Sequence, residues 1–132
     1  MQRRVFVYGT LLKGESNHHF LKNAAYLGAH AAGPGYRMLH LGGYPGVVRG
    51  GHKPVRGEVY AIDLRTLKAL DRLEDYPRLY TRSLIPTPWG RAWIYLYRGK
   101  RQGRERIASG AWRGRGRPAR SGGRPPVCPL DG

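Results

Sequence analysis

The chain has 132 residues, with 24 Lys or Arg against eight Asp or Glu and a formal net charge of +16. That length suits one domain with a modest core, and 40% hydrophobic residues can fill it. A run of 18 apolar residues for a membrane helix is lacking, the apolar stretch after Arg3-Arg4 is too short for a signal peptide, and the single cysteine, Cys128, provides neither a disulfide framework nor a cysteine-based zinc site; the expectation is a cytoplasmic protein with no membrane partner.

In chain order, residues 3–8 read as a strand that runs into "YGTL", Tyr8 to Leu11. His18 to Asn23 reads as a short helix. Ala25 to His40 is small, aromatic and broken by glycine, which predicts strands joined by turns. "GGYPGVV", Gly42 to Val48, reads as a loop entering a strand, and Val55 to Ile62 alternates as a strand should. Asp63 to Asp75 is the clearest helix, stopped by Tyr76-Pro77. Two further strands, Tyr80 to Pro86 and Arg91 to Arg98, flank a turn containing Pro88-Trp89-Gly90. Many strands, few helices and short connections predict an α+β domain: a small mixed β-barrel flanked by a few short helices.

The charge is uneven. Residues 98–132 hold ten Lys or Arg and two acids, a net +8 in 35 residues, and residues 1–97 carry the other +8. "RIASGAW", 106–112, still contains Ile107 and Trp112 to close a domain. Beyond it, Arg, Gly, Pro and Ser predominate, so the ordering entropy is not recovered by burial. The expected division is a folded unit at 1–112 and a basic, disordered Arg/Gly/Pro-rich tail at 113–132. Arg115-Gly116-Arg117-Pro118 resembles the core of a minor-groove-binding hook, which makes nonspecific nucleic acid a second candidate partner through 113–132.

The helix carries an odd carboxylate. With Leu64 at zero on a wheel of about 100° per residue, Leu67, Leu70 and Leu73 fall between about 180° and 300°, and Arg65, Lys68 and Arg72 lie opposite. Glu74 falls at about 280°, among the leucines. A carboxylate facing a core needs a partner, a cavity or a proton. Periodicity equally allows that the helix has ended by residue 74 and the side chain turns to water. Asp71, at the edge of the apolar face, reads as a partner for an arginine, and Asp75 as solvated.

Two other sites are weighed and set aside. Gly9 and Gly14 have the spacing of a phosphate-binding loop, but Glu15 stands where its lysine belongs. His18 and His19 diverge on a helix, and His30, His40 and His52 have no metal-ligand spacing, so no metal is expected.

"VYGTL" (7–11), "GGYP" (42–45), "GEVY" (57–60), "LDRLEDYPRLYTR" (70–82) and "IASGAW" (107–112) occur in this order. Together they resemble the gamma-glutamylcyclotransferase-like family, of gamma-glutamylamine cyclotransferase type, over residues 3–112. The resemblance implies a small mixed β-barrel, substrate binding at Tyr8, Gly9, Thr10 and Leu11, and Glu74 as general base and acid. It also implies that Tyr80 and Arg82 support the pocket, that Tyr44 lies near it, and that no cofactor is required. The implied reaction is cyclisation of a small γ-glutamyl compound, releasing 5-oxoproline and an amine or amino acid; the alternative is a non-catalytic binder of small acids or nucleic acid. Two positions depart from the pattern: Asp75 where glycine is usual, and Ala111 where an acid often precedes the tryptophan.

Overall fold

The computed structural model describes residues 3–112. The predictions for the basic tail, its disorder and its nucleic-acid contact, lie outside those residues. Seven strands form one sheet in the order β3-β2-β4-β1-β6-β5, with β7 added to β2. The strands are β1 (Arg3–Val7), β2 (Ala25–His40), β3 (Pro45–Arg49), β4 (Lys53–Ile62), β5 (Tyr80–Ile85), β6 (Ala92–Tyr97) and β7 (Glu105–Arg106). One α-helix, α1 (Leu64–Leu73), follows β4, and a 3-10 turn spans His18–Leu21.

The centre of the sheet is mixed. β1 runs antiparallel to β4, pairing Val5 with Tyr60, and parallel to β6, pairing Val5 with Trp93. It is therefore covered on both edges and both faces, as its wholly apolar Val5-Phe6-Val7 run requires. Leu67, Leu70 and Leu73 of α1 pack into the same core, as the wheel predicts.

Two expectations change. Residues 25–40 form one 16-residue strand rather than several short ones; its pairing with β4 shifts between Tyr26 and Gly28 and again between Ala32 and Tyr36. The glycines read as turns thus sit at irregularities that bend one strand without ending it. The α+β character holds, but the ladders leave the sheet open: among the described residues no ladder joins β3 to β5. The sheet does curl. A Cβ on Gly46 in β3 would lie 2.9 Å from Tyr97 Cβ in β6, and the Tyr80 hydroxyl of β5 donates to the Pro45 carbonyl of β3 at 2.9 Å. Side chains, rather than a ladder, bridge the two ends.

The segment 105–112 closes the domain. β7 pairs with Leu39 and His40, the Ile107 amide donates to the Met38 carbonyl, and Trp112 is buried. No helix among the described residues is long and apolar enough to cross a membrane.

Candidate functional site

A cleft of about 380 Å³, counted out to its mouth, opens where β1 ends. Its walls come from distant stretches of chain: residues 6–11, the Tyr44-Pro45 entry to β3, Glu74, Tyr80 and Tyr95.

The 8–11 turn forms one wall. The Leu12 amide closes on the Gly9 carbonyl at 3.0 Å. Asn17, almost fully buried, anchors the turn from below: its amide donates to the Thr10 carbonyl at 2.8 Å and its Nδ2 to Thr10 Oγ1 at 2.9 Å. These bonds use carbonyls and the threonine hydroxyl, leaving the N–H groups of Gly9, Thr10 and Leu11 outside the turn's own pattern. Successive amides of this kind make an anion-binding concavity without a basic side chain. Gly9 has a more immediate reason to be glycine than ligand approach: a Cβ there would lie 2.6 Å from Pro45 Cγ and 2.8 Å from its Cδ. The turn and the "GGYP" loop pack backbone against ring.

Glu74 faces the turn, and the helix end explains how. α1 stops at Leu73 and Glu74 caps it, with its amide on the Leu70 carbonyl at 2.9 Å. The Asp75 amide then bonds back to the Arg72 carbonyl and the Tyr76 amide to the Asp71 carbonyl, the paired bonds of a Schellman motif. That motif needs a left-handed residue after the cap, and Asp75 supplies it at φ 54°. The helix has therefore ended by residue 74, yet the side chain turns inward: Glu74 is only 9% exposed and lines the cleft. The same geometry suits the glycine that the family resemblance places after this glutamate, since glycine takes φ > 0 without steric cost. Asp75 is also less solvated than its wheel position predicts, being partly buried and ion-paired with Arg78.

Behind Glu74 lies a network of three side chains. Arg82 donates to both oxygens of Asp71, at 2.9 and 3.1 Å. Its guanidinium lies over the rings of Tyr76 and Trp93, at 4.4 and 4.2 Å from their centroids. The Tyr95 hydroxyl donates to Asp71 Oδ1 at 2.6 Å. Burial, then the bond to Asp71, then the charges of Asp71 and Glu74 push the Tyr95 hydroxyl far above the usual tyrosine range, so it stays protonated.

The predicted residues divide by position. Tyr8, Gly9, Thr10, Leu11, Tyr44, Glu74 and Tyr80 line the cleft. Two of these also have structural bonds: the Tyr8 hydroxyl donates to the Tyr95 carbonyl at 2.7 Å, and Tyr80 bridges to Pro45. Arg82 is not among the lining residues and acts one layer back, on Asp71. Sequence reasoning missed Tyr95, which no alternation singles out because nearly every position of β6 is buried, and Asn17, whose bonds to Thr10 carry no pattern signal. It also missed a second buried carboxylate, Glu58 of "GEVY", which accepts from the Lys13 amide at 3.1 Å and the Tyr60 hydroxyl at 3.0 Å and so tethers the far end of the turn. The described residues contain no cluster of metal-ligating side chains.

The curled mixed sheet thus brings a buried carboxylate, Glu74, and the 8–11 turn to one cleft. Comparison with known proteins makes the class specific. Residues 5–114 match the family described as gamma-glutamyl cyclotransferase, AIG2-like. A Vibrio cholerae homologue is 50% identical over 112 residues, spanning 85% of this chain and 96% of its own length. The Escherichia coli gamma-glutamylcyclotransferase family protein YtfP is 44% identical over 109 residues, 83% of this chain and 95% of that one. Its solution structure superposes with a TM-score of 0.67, covering 84% of this chain and 96% of that chain. Human gamma-glutamylaminecyclotransferase is 40% identical over 93 residues, 61% of this chain and 59% of its own. The chain belongs to the gamma-glutamyl cyclotransferase, AIG2-like family, and is an enzyme of that family.

Proposed function

We propose that this enzyme cyclises a small γ-glutamyl compound to 5-oxoproline, releasing the amine or amino acid that the γ-carbonyl carried. The observation that carries the reading is the meeting, in one cleft, of the buried Glu74 carboxylate and the 9–11 amides, segments more than 60 residues apart in sequence.

The two ends of a γ-glutamyl group suit the two walls. The amides of the turn hold an α-carboxylate or the γ-carbonyl oxygen, and stabilise the charge that develops on that oxygen as the amide carbon becomes tetrahedral. Glu74 receives a proton from the α-ammonium, whose reference pKa is about 8. The freed amine attacks the γ-carbonyl carbon, the new C–N bond closes a five-membered ring, and the bond to the leaving nitrogen breaks. Glu74 returns its proton to that nitrogen, then takes the second proton that the ring nitrogen sheds as it becomes an amide and passes it to the released amine, which departs as an ammonium ion, so the carboxylate ends as it began. No enzyme nucleophile takes part; the substrate supplies its own, and the cleft contributes the folded geometry in which amine and carbonyl meet. Tyr44, half-buried at the entry, and Tyr80 flank that position.

The test is a panel of γ-glutamyl amines, γ-glutamyl amino acids and γ-glutamyl side-chain amides, assayed for 5-oxoproline. Formation of 5-oxoproline from at least one compound is expected, and the preferred compound identifies the released amine. Saturable binding across the panel with no 5-oxoproline would make the chain a binder of small acids instead.

A further inference from the structure

Tyr95 is assigned no part in the reaction above, yet it lines the cleft and its hydroxyl is committed to a short bond. Its proton points at Asp71 Oδ1 over 2.6 Å. Asp71 cannot turn away, because both of its oxygens also accept from Arg82, and Arg82 is clamped between Tyr76 and Trp93. The backbone at residue 95 is tied as well, through the Tyr8 hydroxyl. A phenol has one proton and two lone pairs. With the proton committed to Asp71, Tyr95 Oη can act toward the cleft only as an acceptor, and no donor among the described residues uses it. The complementary ligand group is a donor, ideally a charged one.

We infer that Tyr95 Oη, polarised as an acceptor by Asp71 and Arg82, receives a hydrogen bond from the α-ammonium of the bound compound and holds it beside Glu74. Tyr95 is then a substrate-binding residue, and Asp71 and Arg82 are positioning residues that act through it. The inference rests on the γ-glutamyl reading of the cleft and extends it, because it locates the ammonium end of the ligand between two acceptors and leaves the carboxylate or carbonyl end to the 9–11 amides. It also supplies a physical use for Asp71 one helical turn before Glu74: the same helix end carries the group that receives the proton and the group that orients its donor. Burial and the neighbouring negative charges keep the Tyr95 hydroxyl protonated across the working pH range, so the polarity of the site does not invert.

The experiment compares two probes on the full chain at about pH 7: γ-glutamylpropylamide and its counterpart without the α-amine, 4-(propylcarbamoyl)butanoate. Affinities are read by ligand-observed NMR at low temperature, and 5-oxoproline is quantified in the same samples. Wild type should prefer the amine-bearing probe. Tyr95→Phe, which keeps the ring, should reduce that preference roughly 10- to 100-fold, the range for losing a hydrogen bond to a charged group, and leave affinity for the amine-free probe nearly unchanged. Asp71→Asn should move the preference in the same direction, because an asparagine amide can donate to Tyr95 and free its proton toward the ammonium. Retained affinity for the amine-free probe is the control that each variant is folded. An unaltered preference in both variants, with 5-oxoproline still formed, overturns the inference and leaves the reaction intact. A preference that depends on Tyr95 without 5-oxoproline from wild type keeps the ammonium site and overturns the reaction. Wild type that binds neither probe overturns both.

Discussion

Glu74 shows how much one residue's role depends on a backbone choice next to it. The Schellman motif at Asp75 aims the carboxylate inward, where α1 alone would have left it at a frayed end. Glu74→Gln keeps the shape of the side chain and removes its ability to take a proton. Turnover should fall by at least about 10²- to 10⁴-fold with binding largely kept, since that is the contribution of a general acid–base group; the check is 5-oxoproline formation alongside ligand affinity. Asp75 is the complementary case. A left-handed non-glycine residue carries a steric cost, and its ion pair with the largely exposed Arg78 offsets little of it. Asp75→Gly should raise stability by about 0.5–1 kcal/mol and Asp75→Ala should not, as read from denaturant midpoints. Gly9 belongs to the same scale. The contact with Pro45 means that Gly9→Val disturbs packing as well as ligand approach, so it should lose stability on the order of 1–3 kcal/mol together with activity.

At the scale of elements, α1 is held at both ends by side-chain bonds. Asp63 caps its start, accepting from the Thr66 amide at 2.8 Å, and this bond holds the Asp63 carboxyl below its ordinary value of 3.8. A folded-state value below the unfolded one makes the cap a source of stability above about pH 4 that is lost as pH falls through the folded value. Asp63→Asn, which caps without titrating, should therefore flatten the acid limb of a series of thermal melts taken between about pH 2 and 5. The far end of α1 is pinned to β5 and β6 through Asp71, Arg82 and Tyr95. Arg82→Met removes both bonds to Asp71 and leaves its charge half-buried. The cost should be about 2 kcal/mol, below the figure for a fully buried pair because 15% of the Arg82 side chain and 20% of that of Asp71 meet solvent.

For the whole molecule, the open curled sheet brings the start of β3, the end of β1 and the end of α1 to one place. The closing segment is part of that arrangement: Gly110 accepts from the Arg56 amide, and Trp112 is buried against the core. A chain ending at Trp112 should keep a cooperative melting transition and any 5-oxoproline activity. A chain ending at Arg104 should lose several degrees or more, because it gives up β7 and the burial of Ile107 and Trp112. Loss of cooperativity on the first truncation would show that residues 113–132 belong to the folded unit.

The sequence by itself determined the elements whose signals are local. Alternation marked β4, two short runs flanking the Pro88-Trp89-Gly90 turn marked β5 and β6, a 3.6-residue period with Asp63 and Pro77 at its borders marked α1, and the same period put Glu74 beside the leucines. The ordered motifs were enough to suggest the family, because they are short, contiguous strings. What only tertiary structure decided is whatever depends on two distant segments meeting. The long β2 was hidden because its glycines look like turns until β4 lies alongside to hold the strand together. The openness of the sheet depends on which edges pair, and no single strand carries that information. Arg82 reads the same in sequence whether it touches a ligand or a carboxylate behind it. The direction of the Tyr95 proton follows from a helix, a strand and an aromatic clamp arriving together around Asp71. Hydrogen-bond polarity is a property of such pairs, so it becomes readable only when the chain has folded and each donor has found its acceptor.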